Sequence, residues 1–253
     1  MPNGTPEIYQ TIQGEGATIG KPVIFVRTSG CNLTCNWCDT FYTWNFDDIP
    51  RKNPHLTQAP VKREDYVKEM TVDEVVEYII KISNGVHSVV FTGGEPTLQQ
   101  DDLAKVATKL REYDPNWYFE IETNGTNPVK EALGNILNQI NSSPKLVSSG
   151  NNPLAKNRPE AIKRLLEIHN TRKIGLCFKF VIMKEKWEQD LAEVKEWQKF
   201  HNVPSNLIFL MPEGTNIERI KESSVFLAEV AQREGFNLST RLQILLYGEK
   251  RAV

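Results

Sequence analysis

Three cysteines, Cys31, Cys35 and Cys38, stand close together near the start of the chain. Their CxxxCxxC spacing lets three thiolates converge on three irons of one cubane iron–sulfur cluster when the chain turns on itself. The only other cysteine of the sequence, Cys177, is far along the chain. One iron of such a cluster would therefore lack a protein ligand and stay open to a small molecule.

Zinc binding and a disulfide are the alternatives for these cysteines. A disulfide is disfavoured by the tight spacing, by a total of four cysteines and by the lack of a signal-peptide pattern. Structural zinc usually has four protein ligands, so the fourth would be Cys177 or a histidine such as His55. Cys177 lies in an apolar run, 174–181, where a free cysteine behaves as a small buried hydrophobe. The triplet favours iron–sulfur, and zinc stays open.

Composition limits the class of protein. A chain of 253 residues that is 40% hydrophobic can bury a full core, so we expect a single domain over residues 1–253. The net charge of −2 does not suggest the basic surface that nucleic-acid binding requires. Apolar runs are as long as strands and too short for a membrane span. We therefore expect a cytoplasmic protein that binds neither nucleic acid nor membrane.

Strand-like and helix-like segments alternate along the chain. The predicted strands are 22–28, 86–91, 117–122, 145–148, 176–183, 207–210 and 242–246. The predicted helices are 71–82, 101–111, 159–169, 187–200 and 217–234, with another beginning near Pro128. Alternation favours a parallel sheet with right-handed crossovers. The predicted fold is α/β, a partial TIM-like barrel of about six parallel strands with outer helices.

Two segments lack this periodicity. Residues 3–20 are rich in glycine and threonine and predict a loop; alternatively, Ile12-Gln13-Gly14-Glu15-Gly16 could bring backbone, an amide and a carboxylate to a ligand. Residues 45–70 contain three prolines and many charges, which predict an irregular insertion after the cysteine loop.

The segments that could carry chemistry follow predicted strand ends, at 28–40, 92–96, 122–125 and 211–214. The carboxyl ends of parallel strands form the rim where α/β enzymes place their active sites. Arg27, at the end of a predicted buried strand, is either paired within the protein or directed at an anionic ligand. We expect the active site at this rim.

The cysteine triplet, followed one βα unit later by Thr92-Gly93-Gly94-Glu95-Pro96, resembles the signature of radical S-adenosylmethionine (SAM) enzymes. In that superfamily the open iron binds SAM, which is reduced to a 5′-deoxyadenosyl radical. Several segments also resemble the 7-carboxy-7-deazaguanine synthase family, and together they span nearly the whole chain. They are residues 12–16, 26–27, 37–40, 92–96, 122–125 and 143–145.

The resemblance implies a reaction and its partners. The family converts 6-carboxy-5,6,7,8-tetrahydropterin to 7-carboxy-7-deazaguanine with loss of ammonia, in 7-deazapurine and queuosine biosynthesis. It uses a 4Fe–4S cluster, SAM and Mg²⁺. A homodimer is usual, and a reductase such as flavodoxin or ferredoxin would supply electrons.

The resemblance also implies roles for individual residues. Cluster ligands would be Cys31, Cys35 and Cys38, and Thr40 would coordinate Mg²⁺. SAM would contact Trp37, Cys38, Asp39, Gly94, Glu122, Ser143, Pro144 and Lys145. The pterin would contact Ile12, Gln13, Gly14, Glu15, Arg27, Thr92 and the terminal carboxylate of Val253, with Arg27 facing the substrate carboxylate. Gln243 stands where we expect some relatives to present a histidine.

Two other functions remain open from the residues. A radical SAM activase, which installs a glycyl radical on a protein, would share the cysteines and the GGE segment (Gly93-Gly94-Glu95). It would leave the QGEG segment (Gln13-Gly14-Glu15-Gly16) unexplained. A zinc-stabilised, non-catalytic binding module would be colourless and would not respond to SAM.

Overall fold

The computed structural model describes residues 5–49, 56–248 and 250. Its strands are β1 (Ile8–Ile12), β2 (Pro22–Thr28), β3 (Ser88–Gly93), β4 (Tyr118–Thr123), β5 (Gln139–Ser142), β6 (Gly175–Ile182), β7 (Ile208–Pro212) and β8 (Asn237–Leu238). Its helices are α1 (Arg63–Tyr66), α2 (Val72–Ser83), α3 (Gln100–Tyr113), α4 (Glu131–Gly134), α5 (Pro153–Lys156), α6 (Pro159–Arg172), α7 (Trp187–His201), α8 (Ile217–Glu234) and α9 (Leu242–Tyr247). Among these helices none is both long and apolar enough to cross a membrane.

The eight described strands form one sheet in chain order, from β1 to β8. The first strand is antiparallel to β2, and every later pair of neighbours is parallel. Six consecutive parallel strands, β2 to β7, therefore make up most of the sheet, and β8 adds two residues at its far edge. The predicted partial barrel is confirmed.

Helix α2 shows how the local sequence determines where a helix begins and ends. Thr71 is its N-cap: the Thr71 hydroxyl accepts a hydrogen bond from the Glu74 amide at 3.3 Å, and the Glu74 carboxylate accepts one from the Thr71 amide at 2.7 Å. This capping box satisfies two amides that have no partner within the helix. Asn84, in the left-handed conformation, ends the helix, and Val76 and Ile79 are buried against the sheet side. The predicted helix is confirmed.

The strands bury apolar side chains on their helix-facing side and polar ones on the inner side. In β6, Phe178 and Phe180 pack against Trp197 of α7, with ring centroids 4.9 and 5.0 Å apart from it. Lys179, between the two phenylalanines, points to the opposite face because side chains alternate along a strand. Glu120 of β4 alternates with two buried apolar neighbours in the same way. The interior of the partial barrel is therefore charged.

Three predictions of local structure are wrong. Residues 3–20 are not wholly a loop: β1 pairs with β2 along its whole length, with Ile8 opposite Val26. The strand predicted at 145–148 lies earlier, as β5, because its polar residues hide the apolar pattern and Pro144 follows at once. The strand predicted at 242–246 is helix α9. One helical face suffices to bury Ile244, and the edge strand nearby offers only two residues for pairing.

The insertion predicted at 45–70 is mainly irregular where it is described. Phe46 and Val61 form an isolated bridge, and Arg63 at the start of α1 forms an ion pair with Asp48 at 2.7 Å. His55 lies outside the described residues. The assignment of residues 1–253 to one domain stays a prediction.

Paired glycines at the end of β3 let two backbones come close together. A Cβ on Gly93 would overlap the carbonyl of Thr28, and a Cβ on Gly94 would overlap that of Gly30. Hydrogen bonds use this proximity: the Gly94 amide donates to the Thr28 carbonyl at 3.1 Å, and the Glu95 amide donates to the Gly30 carbonyl at 2.8 Å. The glycines therefore fix the start of the cysteine loop against β3.

We expect Gly93→Ala to lower the free energy of unfolding by about 3 kcal/mol or more, since it combines backbone strain at φ +135° with overlap on the Thr28 backbone. Gly85→Ala is the matched control, because Gly85 also has positive φ (+87°) but has open space around it. The control should lose about 1 kcal/mol. Urea unfolding curves measure both, and equal losses would contradict the close approach.

Candidate active site

A cavity of about 550 Å³ opens at the carboxyl ends of the parallel strands, as the sequence predicts. It brings together nearly all of the predicted site residues. Those lining it are Ile12, Gln13, Gly14, Glu15, Arg27, Cys31, Cys35, Trp37, Cys38, Asp39, Thr40, Thr92, Gly94, Glu122, Ser143 and Lys145. Pro144 is not part of this lining, and Val253 lies outside the described residues.

All three cysteines of the loop are free thiols, and each sulfur accepts a hydrogen bond from nitrogen. The Leu33 amide donates to Cys31 at 3.4 Å, the Asn151 side chain to Cys35 at 3.1 Å, and the Trp44 indole to Cys38 at 3.3 Å. N–H donors of this kind surround sulfur that carries negative charge, as in iron–sulfur centres. The loop therefore suits three cluster thiolates.

Burial alone would keep the sulfurs of Cys31 and Cys38 protonated. It raises the pKa of Cys31 to about 12 and that of Cys38 to about 11. Bound iron offsets this effect, because a coordinated thiol loses its proton. The two thiolates consequently need a metal partner to exist at neutral pH.

Cys177 does not join the loop cysteines. Its thiol lies within β6 and donates a hydrogen bond to Asn141 Oδ1 at 2.9 Å. The other fourth ligand considered for zinc, His55, is outside the described residues. Three cysteines and an open position are therefore the arrangement that the described part of the site supports.

Loops after β3 and β4 hold the cysteine loop in place. Asn124 donates to Asn32 Oδ1 at 2.9 Å, and Asn32 donates to Thr126 Oγ1 at 2.7 Å. Glu95, fully buried, accepts from the Thr123 hydroxyl at 2.7 Å and from the Asn124 amide at 2.6 Å. The acidic residue of the GGE segment thus joins two strand ends and does not face the cavity.

The indole of Trp37, in the cysteine loop, carries an N–H donor that is unpaired among the described residues. Trp37 Nε1 is buried and has no hydrogen-bond partner within the described residues, although Trp37 lines the cavity. Lys145 places its ammonium 5.7 Å from the centroid of the Trp37 ring and hydrogen-bonds Ser143 through the backbone and hydroxyl oxygens. An aromatic face, an ammonium and a free donor are suited to a polar, partly aromatic ligand.

Lys179 forms the centre of a buried charged network. Its ammonium lies 2.9 Å from Glu15 Oε2 and 2.7 Å from Glu122 Oε2, with only 2% of the side chain exposed. Burial alone would lower the pKa of Lys179, but the two carboxylates raise it, so the ammonium stays charged. Burial would likewise raise the pKa of Glu15, yet Lys179 and Arg241 hold it well below the usual range.

Glu122 differs from Glu15 because another carboxyl group is close by. Gln13 and Asn141 each donate from one amide nitrogen to both Glu120 and Glu122. Burial, together with the charges of Glu120 and Glu15, raises the pKa of Glu122 to about 7 against the opposing effect of Lys179. Burial also raises the pKa of Glu120. This pair therefore holds a proton close to neutral pH.

Arg241 connects the C-terminal region to the cysteine loop. Its guanidinium donates to Asp39, to the Gly214 carbonyl and, at 3.2 Å, to Glu15 Oε1. Gln243, two residues on, donates to the same Glu15 oxygen at 2.7 Å. Gln243 therefore hydrogen-bonds Glu15, a predicted substrate-binding residue, from the position where we expect some relatives to have a histidine.

Arg27 is both paired and exposed to the cavity. Its Nε lies 2.7 Å from Glu7 Oε1, which also accepts from the Tyr42 hydroxyl at 3.1 Å. Nη2 reaches the Tyr9 hydroxyl at 3.5 Å. Guanidinium has five N–H donors, so these contacts leave some for a ligand. The internal pairing raised by the sequence is confirmed, and an anionic ligand for Arg27 stays a prediction.

Sequence reasoning missed several residues of this site, among them Glu7, Trp44, Glu120, Asn151, Lys179 and Arg241. A usable signal existed for two of them, because Glu120 and Lys179 are charges at alternate positions of otherwise apolar strands. Asn151 has no such signal, since it reaches Cys35 from 116 positions away.

Comparison with known proteins defines the class. The model of the Radical SAM superfamily matches residues 25–197. Two solved structures share the fold: QueE from Escherichia coli (24% identity, TM-score 0.64, 94% of this chain and 92% of that one) and native anSMEcpe with bound AdoMet (17%, 0.57, 89% and 67%). The chain is a member of the radical SAM superfamily.

Curated relatives narrow this assignment. The 7-carboxy-7-deazaguanine synthase of Pyrobaculum aerophilum is 31% identical over 97% of this chain and 95% of its own, and that of Buchnera aphidicola is 34% identical over 85% and 86%. The chain belongs to the 7-carboxy-7-deazaguanine synthase family. The resemblance stated from the sequence is confirmed, and neither the activase nor the zinc module gains support.

The raised pKa of Glu122 predicts a titration near neutrality. Because the folded protein keeps a proton that the unfolded chain releases near pH 4.5, the contribution of Glu122 to the free energy of unfolding falls as pH rises towards about 7. Infrared difference spectra of protein with isotope-labelled glutamate should show a carboxylic acid band that disappears in this range.

Glu122→Gln should remove or weaken that band, whereas Glu64→Gln, the same change at an exposed position of α1, should leave it intact. A spectrum with fully ionised glutamate at pH values near 5 would contradict the shared proton.

Proposed function

We propose that this chain converts 6-carboxy-5,6,7,8-tetrahydropterin to 7-carboxy-7-deazaguanine with loss of ammonia, using a 4Fe–4S cluster, SAM and Mg²⁺. Family membership supports the reaction. One structural observation carries the assignment of residues: a single cavity is lined by the three cysteines, by Arg27 and by the carboxylates of Glu15 and Glu122. An anion-binding group and two acceptors thus share one space with the cluster loop.

Arg27 binds the substrate carboxylate. Glu7 fixes the guanidinium through Nε, which leaves N–H donors for a charge-assisted pair with a carboxylate. Both residues are nearly enclosed, with 12% and 9% of their side chains exposed, so the pair operates with little competition from water.

Glu15 orients the pterin ring. An amino group and ring N–H groups are donors, and they require acceptors such as carboxylate oxygen. Lys179 and Arg241 keep Glu15 ionised. Thr92 at the end of β3, with the backbone of Ile12, Gln13 and Gly14, completes this side. The Gln13 side chain serves within the protein, where it donates to Glu120 and Glu122.

The opposite side of the cavity holds the cofactors. Cys31, Cys35 and Cys38 would ligate the cluster, and SAM would lie against Trp37, Cys38, Asp39, Gly94, Glu122, Ser143, Pro144 and Lys145. A cluster with SAM supplies, when bound, one-electron reductive cleavage and hence a hydrogen-abstracting radical. The Thr40 hydroxyl would ligate Mg²⁺, a hard cation that prefers oxygen ligands.

The cellular setting is proposed on the resemblance alone. It comprises a cytoplasmic homodimer that receives electrons from a flavodoxin or ferredoxin. The cluster requires such a one-electron donor for each cleavage of SAM. The terminal carboxylate of Val253 belongs to the same set of proposals for the substrate site.

Reconstituted protein with SAM, reductant, Mg²⁺ and 6-carboxytetrahydropterin should form both 5′-deoxyadenosine and 7-carboxy-7-deazaguanine, detected by mass spectrometry. Cys35→Ala should abolish both products, because it removes a buried cluster ligand. Cys177→Ser is the matched control: its cysteine lies in β6 outside the loop, so bound iron should match the wild type. Deoxyadenosine without deazaguanine would contradict the substrate.

Arg27→Gln should raise KM for the pterin about a hundredfold, the loss expected for a charge-assisted pair worth about 3 kcal/mol. KM for SAM should change little. Arg63→Gln, which breaks an exposed ion pair with Asp48, is the control for removing an arginine. Steady-state kinetics with each substrate varied measures both constants, and an unchanged pterin KM would exclude the proposed contact.

A further inference from the structure

The three cysteine sulfurs are contacted by donors of different origin. Leu33 donates from the backbone of the cysteine loop itself, whereas Trp44 and Asn151 donate from side chains. Asn151 comes from the segment after β5, far from the loop in sequence. Side-chain donors can be replaced individually, so their effect on the centre can be measured.

We infer that Asn151 and Trp44 are positioning residues that raise the reduction potential of the cluster through N–H···S hydrogen bonds to Cys35 and Cys38. The inference rests on the proposed function only in requiring that the triplet holds the cluster. It adds two residues to the site and assigns them an electronic role.

The geometry at Asn151 supports a donor that is fixed in place. The residue is buried, with 8% exposed, and Cys35 is equally enclosed at 7%. Its amide nitrogen lies 3.1 Å from Cys35 Sγ and 3.0 Å from Ser149 Oγ, while its oxygen accepts from the Thr34 amide at 2.8 Å. Because the Thr34 contact specifies the oxygen, the nitrogen must face the sulfur.

The geometry at Trp44 is independent of that at Asn151. Its indole nitrogen lies 3.3 Å from Cys38 Sγ, and only 7% of the residue is exposed. An indole N–H can only donate, so the direction of this bond is settled. The neighbouring Thr40 hydroxyl is farther from the same sulfur, at 3.7 Å.

Hydrogen bonds of this kind act differently on the two oxidation states. Adding one electron makes the cluster and its sulfurs more negative, and an N–H dipole stabilises the more negative state more strongly. The surroundings are poorly solvated, so water cannot replace a lost donor easily. Removing either donor should therefore make reduction harder.

The test is a redox titration followed by electron paramagnetic resonance, using the full-length reconstituted protein without SAM. Trp44→Phe and Asn151→Asp should each lower the midpoint potential. At the wild-type midpoint, the ratio of reduced to oxidised cluster should fall on the order of tenfold, or about 59 mV for a one-electron couple.

Two further variants test the effects of a more distant charge and of loop structure, and Trp44→Phe, which adds no charge, isolates the donor effect. Asn152→Asp makes the same change at the adjacent exposed residue, which caps α5 and contacts no cysteine sulfur among the described residues, so its potential should equal the wild type. Asn151→Asp keeps an oxygen for the Thr34 amide, whereas Asn151→Ala does not. Trp44→Phe removes a donor without adding charge, so a purely structural role predicts a normal potential for this variant and loss of iron only for Asn151→Ala.

Unchanged midpoints in both Trp44→Phe and Asn151→Asp, with normal iron content, would overturn the inference and leave the proposed function untouched. If the Asn151 variants fail to assemble a cluster, the Trp44→Phe midpoint decides alone. A wild-type protein that binds no cluster would overturn the inference together with the proposed function.

Discussion

The buried ammonium of Lys179 is the constraint on which the interior depends. A charge on the inner face of a sheet is tolerated only with partners of opposite sign, and here the partners come from distant parts of the chain. Glu122 is on a strand two positions away in the sheet, and Glu15 follows β1. Arg241 extends the network from Glu15 to Asp39 and so to the cysteine loop. One buried charge thus joins both ends of the chain to the site.

The two sides of the cavity use different electrostatics. Around the proposed pterin site the contacts are between full charges, which hold Glu15 ionised and leave a proton near Glu120 and Glu122. Around the cysteines the contacts are neutral donors, an amide, an indole and a backbone N–H. A full positive charge beside the sulfurs would shift the potential far more than a neutral dipole does. The cavity thus combines neutral donors at the cysteines with full charges at the proposed pterin site.

Sequence patterns predicted the architecture because β2 to β4, β6 and β7 are apolar runs bounded by glycine, proline and polar turns. They failed at β1 and β5, whose polar residues contact the interior, and at the last segment, where an apolar run forms α9. The same physical cause underlies the missed site residues. An inward-facing charge in a partial barrel interrupts an apolar pattern, and its partner cannot be inferred without the sheet order. Asn151 and Arg241 could be recognised as site residues only in the folded structure, because the loop conformations bring them to the site.

The order of residues along the chain determines when, during synthesis, the surroundings of the cysteine loop can be completed. The donor to Cys35 is 116 positions downstream of it, and the residues that hold Asn32 and Glu95 lie at or beyond the end of β4. When only the first half of the chain has left the ribosome, the cysteines are therefore present without the downstream residues that contact and bury them. The surroundings of the loop are complete only after Asn151 has been synthesised. Iron delivered earlier would therefore bind at a site still exposed to oxygen and water.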